Sequence, residues 1–258
     1  MAFASVPNGN NIRNEDKVNE FLQNKSKSMA KVYLYMGIGL LVTALVSLGV
    51  GALFAGLFSN FSRVDTADIA ENALVAYIAT MVISFIVLLV DGVVIARRAY
   101  SSKRSLWVPY IIYAVTMGVF LSTFLIAGID FYTIGEAFGI SGLAFFAMAF
   151  IGYKSKANLN VLGMVASGFL FCLLIGSLFW GIFYLISPTL VYIFDIVTSF
   201  AIMAFIMVMV AVDTYNIKRI LANGCEGNVV LYCAFIMYSD FIAVFIRILY
   251  LLSSLKDK

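Results

Sequence analysis

The chain predicts an all-α membrane protein, a bundle of seven transmembrane helices, and two observations carry that class. Its 258 residues are 63% hydrophobic and 12% charged, against roughly 45–50% apolar and roughly 25% charged in a soluble domain. The apolar excess recurs in long uncharged runs from Val32 to the C-terminal end, so it belongs to one polytopic domain and not to a soluble domain with a single anchor.

Residues 1–30 read as a cytosolic tail. Asn8, Asn10 and Asn11 precede mixed charges (Arg13, Glu15, Asp16, Lys17, Glu20), and no apolar core or small-residue cleavage site marks a signal peptide. A short amphipathic helix is expected near Val18 to Leu22. The membrane domain is expected over 31–258.

A hydrocarbon core of about 30 Å needs about twenty helical residues. Seven stretches meet that length, at 31–58, 73–96, 106–127, 134–153, 161–185, 189–212 and 229–252. Their breaks are polar and acidic (60–71), basic (97–104), short (128–133) or a Ser187-Pro188 turn. Lys and Arg set the orientation. Thirteen lie in the N-terminal segment and the second, fourth and sixth loops: Arg13, Lys17, Lys25, Lys27, Lys31, Arg97, Arg98, Lys103, Arg104, Lys154, Lys156, Lys218 and Arg219. Three (Arg63, Lys256, Lys258) lie on the other side. The N-terminus is therefore expected in the cytosol and the C-terminus outside. That direction is the reverse of rhodopsin-like proteins, and the last span has no lysine for a retinal Schiff base.

No histidine is present, which removes the commonest general base and transition-metal ligand and excludes serine–histidine hydrolases and histidine-ligated metalloproteases. Cys172 and Cys233 sit in apolar runs and Cys225 in a polar loop, a spacing that fits neither a disulfide framework nor a zinc site; they read as buried small hydrophobes. Glycines 37, 39, 49 and 51 in the first span and 163, 168 and 176 in the fifth read as close-packing positions. Tyr110, Tyr113, Tyr153 and Trp180, near span ends, read as interfacial anchors.

Charges at bilayer depth are costly and mark pathways or buried pairs. Glu136 and Asp195 lie near the outer interface and read as solvated helix-end carboxylates. Asp91 stands before Arg97 and Arg98 and reads as their hydrated partner. Asp240 falls about 16 Å into the last span and Asp213 about 10 Å inside the cytosolic end of the sixth. These two spans are antiparallel and joined by a short loop, which tends to make them neighbours, so their carboxylates can meet. Two carboxylates at one desolvated site do not both ionise freely. They share a proton and, on losing it, separate or bind a cation. Oxygen ligands suit Ca²⁺ over transition metals, with carbonyls or water completing the shell. Arg247 lies two turns beyond Asp240 and is a candidate gating or structural ion-pair partner for Asp195 or Glu136.

The run Ala211-Val212-Asp213-Thr214-Tyr215-Asn216-Ile217-Lys218 resembles the sixth-helix end of the Bax-inhibitor-motif family. The run Tyr238-Ser239-Asp240-Phe241-Ile242-Ala243-Val244-Phe245 resembles its seventh-helix signature, and the stretches Tyr113 to Phe124 and Gly152 to Lys156 are similar as well. The resemblance implies seven helices with the last one central, a pH-sensitive calcium leak, and a proton-sensitive aspartate pair at Asp213 and Asp240. It also implies calcium ions and protons as partners, no cofactor and no enzyme activity. Some eukaryotic relatives restrain cell death by lowering stored calcium. Ala243 and Tyr250 stand where the family commonly has Asn and Arg, and the second span carries Asp91 without a mid-membrane arginine.

Two other readings stay open. Paired intramembrane aspartates also serve aspartyl proteases, although no glycine precedes Asp213 or Asp240 here. A non-conducting adaptor regulating calcium or cell death would use the buried charges for packing alone. Nothing in the chain points to nucleic acid. Compact loops and no ER-retrieval tetrapeptide favour a bacterial plasma membrane.

Overall fold

The computed structural model describes residues 9–61, 67–100, 105–126, 128–178, 188–222 and 227–256, and all its regular structure is helical. Among the described residues seven helices follow in order: α1 Gly9–Phe61, α2 Ala67–Arg98, α3 Trp107–Ile126, α4 Phe131–Lys154, α5 Asn160–Leu178, α6 Pro188–Ala222 and α7 Asn228–Lys256. Six contain stretches long and apolar enough to cross a membrane: Lys27–Leu53, Ile78–Arg98, Trp107–Ile126, Phe131–Lys154, Ile193–Ala222 and Asn228–Lys256. In α5 the shorter apolar stretch Asn160–Leu173 is found, and the end of the expected 161–185 span falls outside the described residues, as do Arg63, Trp180 and Cys225.

Local chemistry fixes the helix ends. Asp130 caps α4, its Oδ2 accepting from the Thr133 amide at 3.1 Å. Proline opens α6 at Pro188, where its missing N–H costs nothing, and Arg97 and Arg98 close α2 against the negative end of its dipole. Gly128 ends α3 at a φ of 88°. Its amide donates to Leu125 O and the next amide to Phe124 O, each at 3.2 Å, which absorbs carbonyls the helix leaves open.

α1 differs from expectation. Helix begins at Gly9 and runs for 53 residues into the membrane stretch, about 80 Å at 1.5 Å per residue, so most of the expected tail is continuous with the first span.

The interior belongs to α7 and α3, in which 56% and 50% of the apolar window is buried, against 11–22% in the other spans. α7 packs against α1, α4, α6 and α2, and α1 packs along α3. Elsewhere large apolar side chains such as Leu45, Ile83, Leu89, Leu143 and Met164 are exposed, the surface a hydrocarbon solvent accepts and water does not. Two crossings bring backbones together. A Cβ on Gly118 would lie 2.8 Å from Thr43 O of α1, and one on Gly152 would lie 2.9 Å from Ala211 Cα of α6. Of the glycines singled out in the sequence, Gly39, Gly51 and Gly163 meet neighbours, whereas Gly37, Gly49, Gly168 and Gly176 face open space.

Candidate functional site

α6 and α7 lie side by side, and one contact sets their register: the Thr214 hydroxyl donates to Val210 O at 2.8 Å and touches Met237 Sδ at 3.7 Å. Antiparallel counting from that contact brings Asp213 and Asp240 within about 3 Å of the same height. At that spacing the two carboxyl groups are near enough to interact electrostatically. Asp240 Oδ2 is buried and without a hydrogen-bond partner among the described residues. A carboxylate so placed is costly unless a proton, a cation or water reaches it. Asp213 also acts on Tyr232, two turns nearer the start of α7, whose ring stacks on Phe235 at 6.4 Å.

The pair sits toward the end of the bundle that carries the basic loops. There Lys218 Nζ donates to Tyr153 O at 2.6 Å and lies 5.2 Å from its ring centre. The Leu106 amide donates to Asn228 Oδ1 at 3.3 Å, and Tyr100 meets Tyr232 edge to face.

A polar seam runs past the pair on its other side. Tyr238 Oη and Thr43 Oγ1 are 2.6 Å apart, and Thr43 donates to Ala114 O at 3.0 Å, joining α7, α1 and α3. Tyr110 donates to Tyr35 O at 2.8 Å, and the Tyr113 hydroxyl hydrogen-bonds with Ser239. Tyr110 and Tyr113 are thus not interfacial anchors: they are 1% and 8% exposed, held inside because each hydroxyl finds a partner there. Sequence reasoning missed Thr43, Ser239 and Tyr238. Their only signal was hydroxyls inside apolar runs, which also occur as ordinary helix packing.

The remaining intramembrane charges do not assemble as expected. Among the described residues no acid lies within ion-pair distance of Arg247. Among the described residues the ion pair found is Lys256 with Glu136, at 3.0 Å, and Lys256 also donates to Thr133 Oγ1 at 2.8 Å. Tyr250 donates to Asp195, and the Arg247 charge acts on Tyr250 from the same helix. The two acids expected to meet Arg247, Asp195 and Glu136, are thus engaged by Tyr250 and Lys256. Asp91 is buried, its Oδ2 has no partner among the described residues, and Arg98 acts on it only from beyond ion-pair distance. Cys233 is buried as expected, but Cys172 is exposed on α5.

Among the described residues no third Cys, Asp or Glu joins any two acids in a metal-binding group. The arrangement supplies two carboxyl groups at nearly one height, one with a buried and unpartnered oxygen, on two adjacent antiparallel helices of a membrane bundle. A family model described as "Inhibitor of apoptosis-promoting Bax1" matches residues 25–257. The match covers nearly the whole chain, and the protein belongs to this Bax-inhibitor family. No curated protein matches it.

Proposed function

We propose that the protein is a pH-sensitive calcium leak channel gated by proton sharing between Asp213 and Asp240. Protonated, the pair holds α6 and α7 together and the path shut; deprotonated, the two carboxylates repel, separate and offer oxygen to a passing cation. The observation that carries this reading is the buried, unpartnered oxygen of Asp240 set against the charge of Asp213. Two carboxylates fall well short of the six to eight oxygens of a Ca²⁺ site, which suits passage and not storage. The topology that goes with it has seven spans, the N-terminus in the cytosol and the C-terminus outside, in a bacterial plasma membrane, where the pair faces the cytosolic side.

Calcium entry into dye-loaded proteoliposomes, followed from about pH 6 to about pH 8 around the sharing range, tests it. The wild type is expected to respond to pH, and Asp213→Asn and Asp240→Asn to lose the response. An unchanged response in both variants sinks the gate, and no cation flux from the wild type at any pH favours a non-conducting adaptor. The reading leaves no peptide-bond chemistry to the pair; cleavage of a model transmembrane peptide that needs both aspartates would overturn it.

A further inference from the structure

Among the described residues, two buried side-chain oxygens lack a partner: Asp240 Oδ2 and Asp91 Oδ2. The first belongs to the pair. The second lies on α2, and a short polar thread leads from it to the first. Asp91 is 9% exposed, and its charge acts on the Tyr113 hydroxyl. The Tyr113 ring lies against α2 at the next residue, with Cε2 4.0 Å from a Cβ built on Gly92. That hydroxyl hydrogen-bonds with Ser239, the residue beside Asp240. Asp213 then acts on Asp240 from α6. Asp91, Tyr113, Ser239 and Asp240 thus form a series of polar groups across α2, α3 and α7, with a carboxyl oxygen at each end left without a hydrogen bond among the described residues.

We propose that Asp91 is a third proton site of the bundle, coupled to the Asp213–Asp240 pair through the Tyr113 hydroxyl and Ser239. Few groups compete for Asp91. On its own helix Arg98 acts from beyond ion-pair distance, and α3 brings Tyr113. α7, the other helix touching α2, carries Ser239 and Asp240. As an anion, Asp91 would need several donors. As a neutral acid it needs one acceptor and can itself donate. A Tyr or Ser hydroxyl both donates and accepts, so a change of proton at Asp91 reorients the Tyr113 and Ser239 hydroxyls and changes what Asp240 is offered. A proton gained at Asp91 comes from the solvent and neutralises the carboxylate. The inference deepens the gating reading by adding a second input to the same pair, but it does not require that calcium be the ion.

Dicyclohexylcarbodiimide, which reacts with protonated carboxyls in apolar surroundings, reports each site separately when the full chain in liposomes is labelled across pH and digested for mass spectrometry. The expected result is pH-dependent labelling at Asp91 in the wild type. Asp91→Asn is expected to move the proton concentration that gives half-maximal labelling at Asp240 about tenfold, the scale of one coupled titration step. The shift should vanish when Asp91→Asn is added to Tyr113→Phe, which keeps the ring and removes the hydroxyl. An Asp240 profile identical in the wild type and in Asp91→Asn, or no labelling of Asp91 at any pH, overturns the inference. Absence of calcium flux from the wild type would end the channel reading and leave this labelling result standing.

Discussion

Gly152→Ala puts a methyl group where α4 crosses α6 and should cost more than an alanine elsewhere on α4. The added Cβ would lie 2.9 Å from both Cα and the carbonyl carbon of Ala211 and against its oxygen. These are backbone atoms of a neighbouring helix and cannot swing aside, so the helices must part by about 1 Å to regain ordinary contact. Overpacking typically costs about 1–3 kcal/mol, and a backbone obstacle places this substitution near the upper end. About 3 kcal/mol is on the order of a hundredfold in the folding equilibrium. Ala211 is two residues from Asp213, so the same separation draws Asp213 away from Asp240 and should weaken the pH response of flux. Unfolding in mixed detergent and SDS micelles, followed by near-ultraviolet circular dichroism, measures the stability. Gly139→Ala is the control, on the same helix with open space around the new Cβ. If Gly152→Ala is as stable as Gly139→Ala, the backbone crossing is refuted.

Lys256→Met removes a clasp between α7 and α4 whose partners are 42% and 37% exposed. It should cost no more than about 1 kcal/mol, and the wild-type margin over it should shrink at high salt. Tyr238→Phe leaves Thr43 bonded to Ala114 O and should cost about 1 kcal/mol in the same unfolding assay. The Asp130 carboxyl is held below its usual range, chiefly by the Thr133 hydroxyl and then by the Thr133 amide. Because the folded value is the lower one, its capping contribution is present above the unfolded value and lost as pH falls through the folded one. Carbon-13 NMR of Asp130 in micelles should give a depressed titration midpoint that Thr133→Val moves upward; an ordinary midpoint in the wild type would refute the cap.

Six of the expected spans were legible because hydrophobic run length is a one-dimensional property that the bilayer reads directly. The relative height of the two aspartates follows from counting residues for the same reason, since both helices rise by a fixed step. Azimuth was not. Arg247, Asp195 and Glu136 stand at compatible heights, but which of them meet depends on helix rotation. There Tyr250, three residues on from Arg247, engages Asp195, and Lys256 reaches Glu136. Asp91 reads in sequence as the hydrated partner of Arg97 and Arg98, and Arg98, seven residues on along the same face, does act on it electrostatically across two helical turns, about 10 Å. The helical start of α1 at Gly9 was hidden because its first turns carry no apolar period to read. Gly118 and Gly152 look in sequence like Gly37 or Gly168, and only the neighbouring helix distinguishes them.

α7 is tied near both ends, by Asn228 to the Leu106 amide and by Lys256 to Thr133 and Glu136. A rod fastened at both ends does not slide, because either direction of travel strains a fastening at once. It behaves as an axle. Turning α7 by about 30° sweeps a side-chain tip at a radius of about 5–6 Å through about 3 Å, enough to bring Asp240 out of reach of Asp213. At mid-length that turn is opposed by the bond between Tyr238 and Thr43, together with the contacts of Ser239 to Tyr113 and of Met237 to Thr214. α1, which carries Thr43, is therefore one of the brakes on the axle.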